Sequence, residues 1–181
     1  CGVSAEDMLP ILEALRSMGC EIEAGDNQIR LVRNGDLQPV ELSTQPHPGF
    51  PTDMQAQLMA LTTLAKGRSL ITENIFENRF MHVPELVRMG AQIEVNGNTA
   101  VIDGVDSLRG ASVMATDLRA SASLVLAGLA AQEESRVLRL YHLDRGYAGL
   151  VEKLQALGAQ VQRVPEGRKE TTSLALVSAT G

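Results

Sequence analysis

One pattern recurs three times in this chain. Residues 11–24 read ILEALRSMGCEIEA, residues 83–95 read VPELVRMGAQIEV and residues 150–164 read LVEKLQALGAQVQRV. Each is a short amphipathic helix, then a glycine, then an alternating strand. The glycines Gly19, Gly90 and Gly158 lie 71 and 68 residues apart. Each stands where a helix stops at a positive φ, which glycine adopts without strain. A period of this size means stacked supersecondary units, none of which buries its apolar face alone.

A second shared stretch enlarges the unit. Residues 52–66 and 116–131 both begin Thr-Asp and continue as helix, with Met54, Leu58, Leu61 and Ala65 at helical spacing. Pro51 precedes the first, and Thr52 with Gln55 fits a capping box. Strands are expected at 68–75 and 135–141. Strands 91–95 and 99–103 should pair as a hairpin through Asn96-Gly97-Asn98. The unit reads βαβαββ, about seventy residues long. Units two and three are complete. Unit one lacks its opening strand and helix, which leaves an apolar face uncovered. The chain is therefore expected to be a piece of a longer polypeptide, the alternative being an incomplete but closed variant. A polar turn at 165–170 and a last strand at 173–177 would close unit three.

Composition narrows the class. At 181 residues with 44% apolar and 21% charged residues, one globular α/β domain over 1–181 is expected. A net charge of −6 argues against a nucleic-acid partner. Two cysteines, Cys1 and Cys20, make neither a disulfide framework nor a zinc quartet. The longest uncharged apolar run, 120–131, is too short to span a bilayer, and no secretory pattern opens the chain, so a cytoplasmic protein is expected. Aromatics are 3% with no Trp, so the core must be aliphatic.

Four places set polar chemistry at element ends. Asp53 follows the rigid turn Pro48-Gly49-Phe50-Pro51 and reads either as a dipole-favoured capping carboxylate or as a general base. The string 73–80 reads either as a solvated loop anchored by two buried Phe, or as a ligand wall. Asp117 holds the position of Asp53 in the next unit, with Arg119 two residues on. Arg145 lies in Asp144-Arg145-Gly146-Tyr147 at a strand-to-helix junction. Each arginine alone fits a salt bridge. Arg79, Arg119 and Arg145 together point to an anion site in an acidic protein. His47, His82 and His142 have no metal spacing, and His82 reads as a cap or a packed residue.

Four strings, 46–57, 77–86, 115–124 and 142–147, resemble the UDP-N-acetylglucosamine enolpyruvyl transferases, and the likeness runs from about residue 8 to residue 164. It is specific against the shikimate-pathway enolpyruvyl transferases, which share the fold but not these strings. The resemblance implies two domains, each an inside-out α/β barrel of three repeats with helices inside and sheets outside. This chain would be the C-terminal-half domain, and the missing elements would come from the N-terminal end, with the other domain inserted between.

The implied reaction, which begins peptidoglycan precursor synthesis, moves the enolpyruvyl group of phosphoenolpyruvate to the 3′-hydroxyl of UDP-N-acetylglucosamine. Phosphate leaves after addition and elimination through a tetrahedral ketal, with no cofactor and no metal. By the matching strings, Asp53 would orient the hydroxyl and take its proton. Ile75, through its backbone, and Arg79 would bind substrate. Arg145 would reach the phosphoenolpyruvate carboxylate or phosphate on domain closure, and Asp117 and Arg119 would line the cleft. The family's proton-donating Cys and its Lys-Asn pair have no matching string here, and neither Cys1 nor Cys20 takes that role. The chain alone is therefore expected not to turn over. Two alternatives are a domain that acts by self-association and a non-catalytic binding module of the same fold.

Overall fold

The computed structural model describes residue 2, residues 4–165 and residues 172–177. Chain order is α1 (Leu9–Ser17), β1 (Cys20–Gly25), β2 (Gln28–Arg33), β3 (Glu41–Ser43), α2 (Gln55–Thr62), β4 (Arg68–Thr72), α3 (Val83–Arg88), β5 (Gln92–Asn96), β6 (Thr99–Asp103), β7 (Ser112–Met114), α4 (Leu118–Ala130), β8 (Ser135–Leu138), α5 (Tyr141–Asp144), α6 (Leu150–Ala156), β9 (Gln160–Pro165) and β10 (Thr172–Val177). The turn expected at 165–170 lies, beyond Pro165, outside the described residues.

The strands form three sheets: β1-β2, β3-β4-β6-β5 and β7-β8-β10-β9. In both larger sheets the first strand runs parallel to the second, and all other pairs are antiparallel. The parallel pair in each is bridged by a helix, α2 or α4, as a parallel connection requires. Gly19, Gly90 and Gly158 follow α1, α3 and α6 with φ of 89°, 94° and 90°. Among the described residues no barrel closes. The first sheet has two strands among the described residues.

Helices α2 and α4 are interior. Seven of the eight α2 residues are buried. The buried run Ala120–Val125, with Ala127 and Gly128, is mostly small, so the two helices approach closely. The core around them is aliphatic: Met59, Ile71, Leu86, Met89, Ile102 and Leu124 are fully buried. A second cluster gathers Met18, Leu37, Phe50 and Leu58 near α1. Between α1, α2 and α4 lies an apolar groove of about 290 Å3, lined by Ile11, Leu15, Phe50, Leu58, Leu61 and Leu126 among others.

Two expected strands end early. β4 stops at Thr72, because the carboxylate of Glu73 takes the N–H groups of Ile75 and Phe76 at 2.8 and 3.1 Å and curls the chain out of the sheet. β8 stops at Leu138, where Arg139 turns to φ 61° and the short α5 follows. Arg145 thus follows α5 and lies between two helices rather than at a strand-to-helix junction. The capping box is also corrected. Pro51 holds the N-cap position of a 3-10 turn, Thr52–Met54, with no side-chain cap. The Thr52 hydroxyl turns to Glu73 instead, and the Gln55 side chain is buried without a partner among the described residues.

Among the described residues no helix is long and apolar enough to cross a membrane, and no group of three His, Cys, Asp or Glu gathers as a metal site would.

Candidate active site

Asp53 occupies the 3-10 turn that leads into α2, and its side chain is 58% exposed. Two arginines from different elements hold it. Arg119, on the first turn of α4, donates to Oδ1 through Nε at 2.8 Å and Nη2 at 2.7 Å. Arg79, from the loop after β4, donates to the same oxygen through Nη2 at 3.3 Å. Oδ2 has no partner among the described residues. Arg79 itself is pinned: its side chain is only 18% exposed, its Nε donates to Thr52 Oγ1 at 3.3 Å, and its guanidinium lies 4.6 Å above the Phe76 ring. The hydrogen bond from Arg119 to Asp53 pushes the Arg119 pKa further above its ordinary value, so that cation stays charged.

Asp117 does something different from Asp53, although both follow a Thr in the repeated string. Its extended backbone makes it the true N-cap of α4, and Oδ1 accepts from the N–H groups of Arg119 and Ala120 at 2.8 and 2.9 Å. The 3-10 turn at Thr52 removes that role from Asp53 and frees its carboxylate for the arginines. Asp117 also fixes the α4 start from which Arg119 projects.

Arg145 is exposed and makes no ion pair among the described residues. Its neighbour Asp144 is held instead, by a two-pronged pair with Arg163 of β9. Gly146 lets this loop lie against α4, since a Cβ there would sit 2.8 Å from the Leu118 methyls. Tyr147 then accepts a hydrogen bond from Gln57 Nε2 at 3.1 Å. Gln57 stands one helical turn after Asp53, so the Arg145 loop is tied to the Asp53 helix.

Ile75 is half-buried, and its N–H is committed to Glu73. Phe76 is 55% exposed and carries the Arg79 cation. The expectation of two buried Phe anchors therefore fails at Phe76 and becomes a half-buried Phe80. The loop borders a cavity of about 480 Å3 with the β5–β6 turn, lined by Glu77, Asn78, Arg79, Met81 and Asn98 among others. His82 is packed rather than capping. It is 1% exposed, with Nε2 3.2 Å from Met59 Sδ, and burial lowers its pKa to about 4 against the opposing pull of the Asp117 charge.

Sequence reasoning placed Glu73, Gln57 and Tyr147 inside its strings without giving any of them a role, and missed Thr44. For Glu73 a signal existed. Alternation along β4 puts Ser69 and Ile71 inside, and Glu73 falls in the same phase.

The profile of the EPSP synthase family (3-phosphoshikimate 1-carboxyvinyltransferase) matches residues 3–154. The chain is 60% identical over 163 residues to a UDP-N-acetylglucosamine 1-carboxyvinyltransferase of Novosphingobium aromaticivorans, spanning 90% of this chain and 38% of that protein. It is 58% identical over 164 residues to the protein of that name in Azorhizobium caulinodans, with the same coverage, 90% and 38%. It therefore spans about two fifths of the length of these relatives. Among solved structures, the enolpyruvyl transferase NikO of Streptomyces tendae superposes with a TM-score of 0.78 at 34% identity, over 84% of this chain and 36% of that one. An EPSP synthase of Acinetobacter baumannii superposes at 0.69 with 23% identity, over 98% and 40%, a likeness of fold.

Proposed function

Because this chain belongs to the EPSP synthase family of carboxyvinyl transferases, we propose that it is one domain of an enzyme that moves the enolpyruvyl group of phosphoenolpyruvate to the 3′-hydroxyl of UDP-N-acetylglucosamine. The name shared by its relatives at 55–61% identity supports this choice of acceptor. One observation carries the catalytic reading: both arginines grip Oδ1 of Asp53, and Oδ2 is left open among the described residues. A carboxylate fixed by one oxygen can present the other to a hydroxyl, orient it and accept its proton as the oxygen attacks C2 of phosphoenolpyruvate.

The remaining residues divide the work. The Ile75 N–H points its hydrogen bond inward to Glu73, so the backbone group it offers a ligand is its carbonyl, which suits a substrate N–H or O–H. Arg145, unpaired among the described residues, is the cation free to meet the carboxylate or phosphate of phosphoenolpyruvate. Arg119 and Arg79 hold Asp53, and Asp117 aims Arg119. No residue of this chain is assigned the proton transfer to C3 of phosphoenolpyruvate. That acid, and further anion-binding groups, belong to the second domain of the reading.

The domain is an inside-out α/β barrel of three repeats whose first repeat is completed from elsewhere in the full-length protein. The groove between α1, α2 and α4 supports this, being apolar and placed where a third interior helix would sit beside α2 and α4. The test is phosphate release from phosphoenolpyruvate and UDP-N-acetylglucosamine. The full-length protein should turn over and this chain alone should not. Turnover by the chain alone would overturn the half-site reading. No turnover by the full-length protein would favour a non-catalytic module.

A further inference from the structure

Glu73 is a buried carboxylate that forms no ion pair among the described residues. It is 3% exposed and meets four donors. Oε1 accepts from the Thr44 hydroxyl at 2.7 Å and from the N–H groups of Ile75 and Phe76 at 2.8 and 3.1 Å, and Oε2 accepts from the Thr52 hydroxyl at 2.9 Å. Burying a charge costs free energy unless its hydrogen bonds are met, and here they are met by dipoles from three separate pieces of chain. Those pieces are the end of β3, the turn that carries Asp53, and the loop that carries Arg79.

The direction of these bonds decides what they do. A carboxylate only accepts, so the Thr52 proton must point to Glu73. The lone pairs of Thr52 then face away from Glu73, and Arg79 Nε donates into them at 3.3 Å. The line runs Arg79 to Thr52 to Glu73, and the far end of the same guanidinium grips Asp53. We propose that Glu73 is a positioning residue of this site, which acts through the Thr52 hydroxyl to fix Arg79 on Asp53 and through two backbone N–H groups to set the Ile75 loop. Its charge, not its volume, performs the task. An amide in its place would turn an NH2 toward one of the donors and break the ordered line.

This rests on Asp53 and Arg79 being site residues of the proposed transferase, so the experiment has one arm that does not. In the full-length protein, Glu73→Gln, Thr52→Val and the double variant are compared. In nitrogen-resolved NMR spectra, the Arg79 Nε–H should exchange with water about tenfold faster in each single variant. Unchanged exchange in Thr52→Val, or in a folded Glu73→Gln, overturns the proposal whatever the protein catalyses. In the phosphate-release assay, each single variant, while still folded, should lose about 10- to 100-fold in kcat/KM, as outer partners of contacting groups commonly do. The double variant should lose no more than the worse single one, since both cut one line. Losses that multiply would show that the two side chains act separately and would overturn it. If Glu73→Gln does not fold, Thr52→Val still overturns the proposal should Arg79 exchange or turnover stay unchanged.

Discussion

At the scale of single residues, charge placement distinguishes groups that look alike in the sequence. Asp53 and Asp117 follow the same dipeptide pattern, yet one faces two guanidinium groups and the other two backbone N–H groups. Arg79, Arg119 and Arg145 read alike in the sequence, yet the first two are held by Asp53 and the third is not held by any acid among the described residues. His82 adds a pH response. Burial lowers its pKa to about 4, below the ordinary 6.5, so the unfolded chain binds a proton that the folded one refuses. Stability from this group is full above pH 6.5 and is lost as pH falls from 6.5 toward 4, by up to ~3 kcal/mol. Unfolding free energies of the full-length protein and its His82→Phe variant, followed across that window, should converge at low pH by about this amount. A constant difference would remove His82 as the source.

At the scale of elements, the start of each interior helix determines what its acid can do. Asp117 caps α4 directly. Asp117→Ala should lower the full-length protein's unfolding free energy by ~1 kcal/mol, while Asp117→Asn, which still accepts, should cost little. Equal losses in urea unfolding would contradict the capping role. The helices and their glycine stops were legible from spacing, because 3.6-residue periodicity and a positive-φ position act locally. The ends of β4 and β8 were not. Each is set by one residue outside the strand pattern: the buried carboxylate of Glu73 and the left-handed Arg139. The capping box at Thr52 failed for a related reason: Thr52 lies inside the 3-10 turn, its hydroxyl donates to Glu73 21 positions away, and its lone pairs take Arg79 Nε rather than a local N–H. Of the two readings open for 73–80, the one with two buried Phe anchors fails at Phe76, whose partner is a cation, so the ring can stay exposed.

At the scale of the whole molecule, the interior helices gather the residues of the proposed site. α2 and the 3-10 turn before it bring Gln57 and Asp53, α4 brings Arg119, and the loops from β4 and α5 bring Arg79 and Arg145. Side-chain bonds between these pieces, such as Gln57 to Tyr147 over 90 positions, hold them in one frame. Such long-range pairings were invisible to periodicity, and so was the open Oδ2 of Asp53. The apolar groove beside α2 and α4 and the two-stranded first sheet agree with a chain that spans two fifths of its relatives. The proposed chemistry turns on that single oxygen, and one substitution isolates it. Asp53→Asn keeps an oxygen for the two arginines and replaces the other with an amide nitrogen that cannot take a proton. In the full-length protein, phosphate release at saturating substrates should fall by about 10²- to 10⁴-fold with the unfolding midpoint retained. Turnover within a few-fold of the unchanged protein would contradict the account.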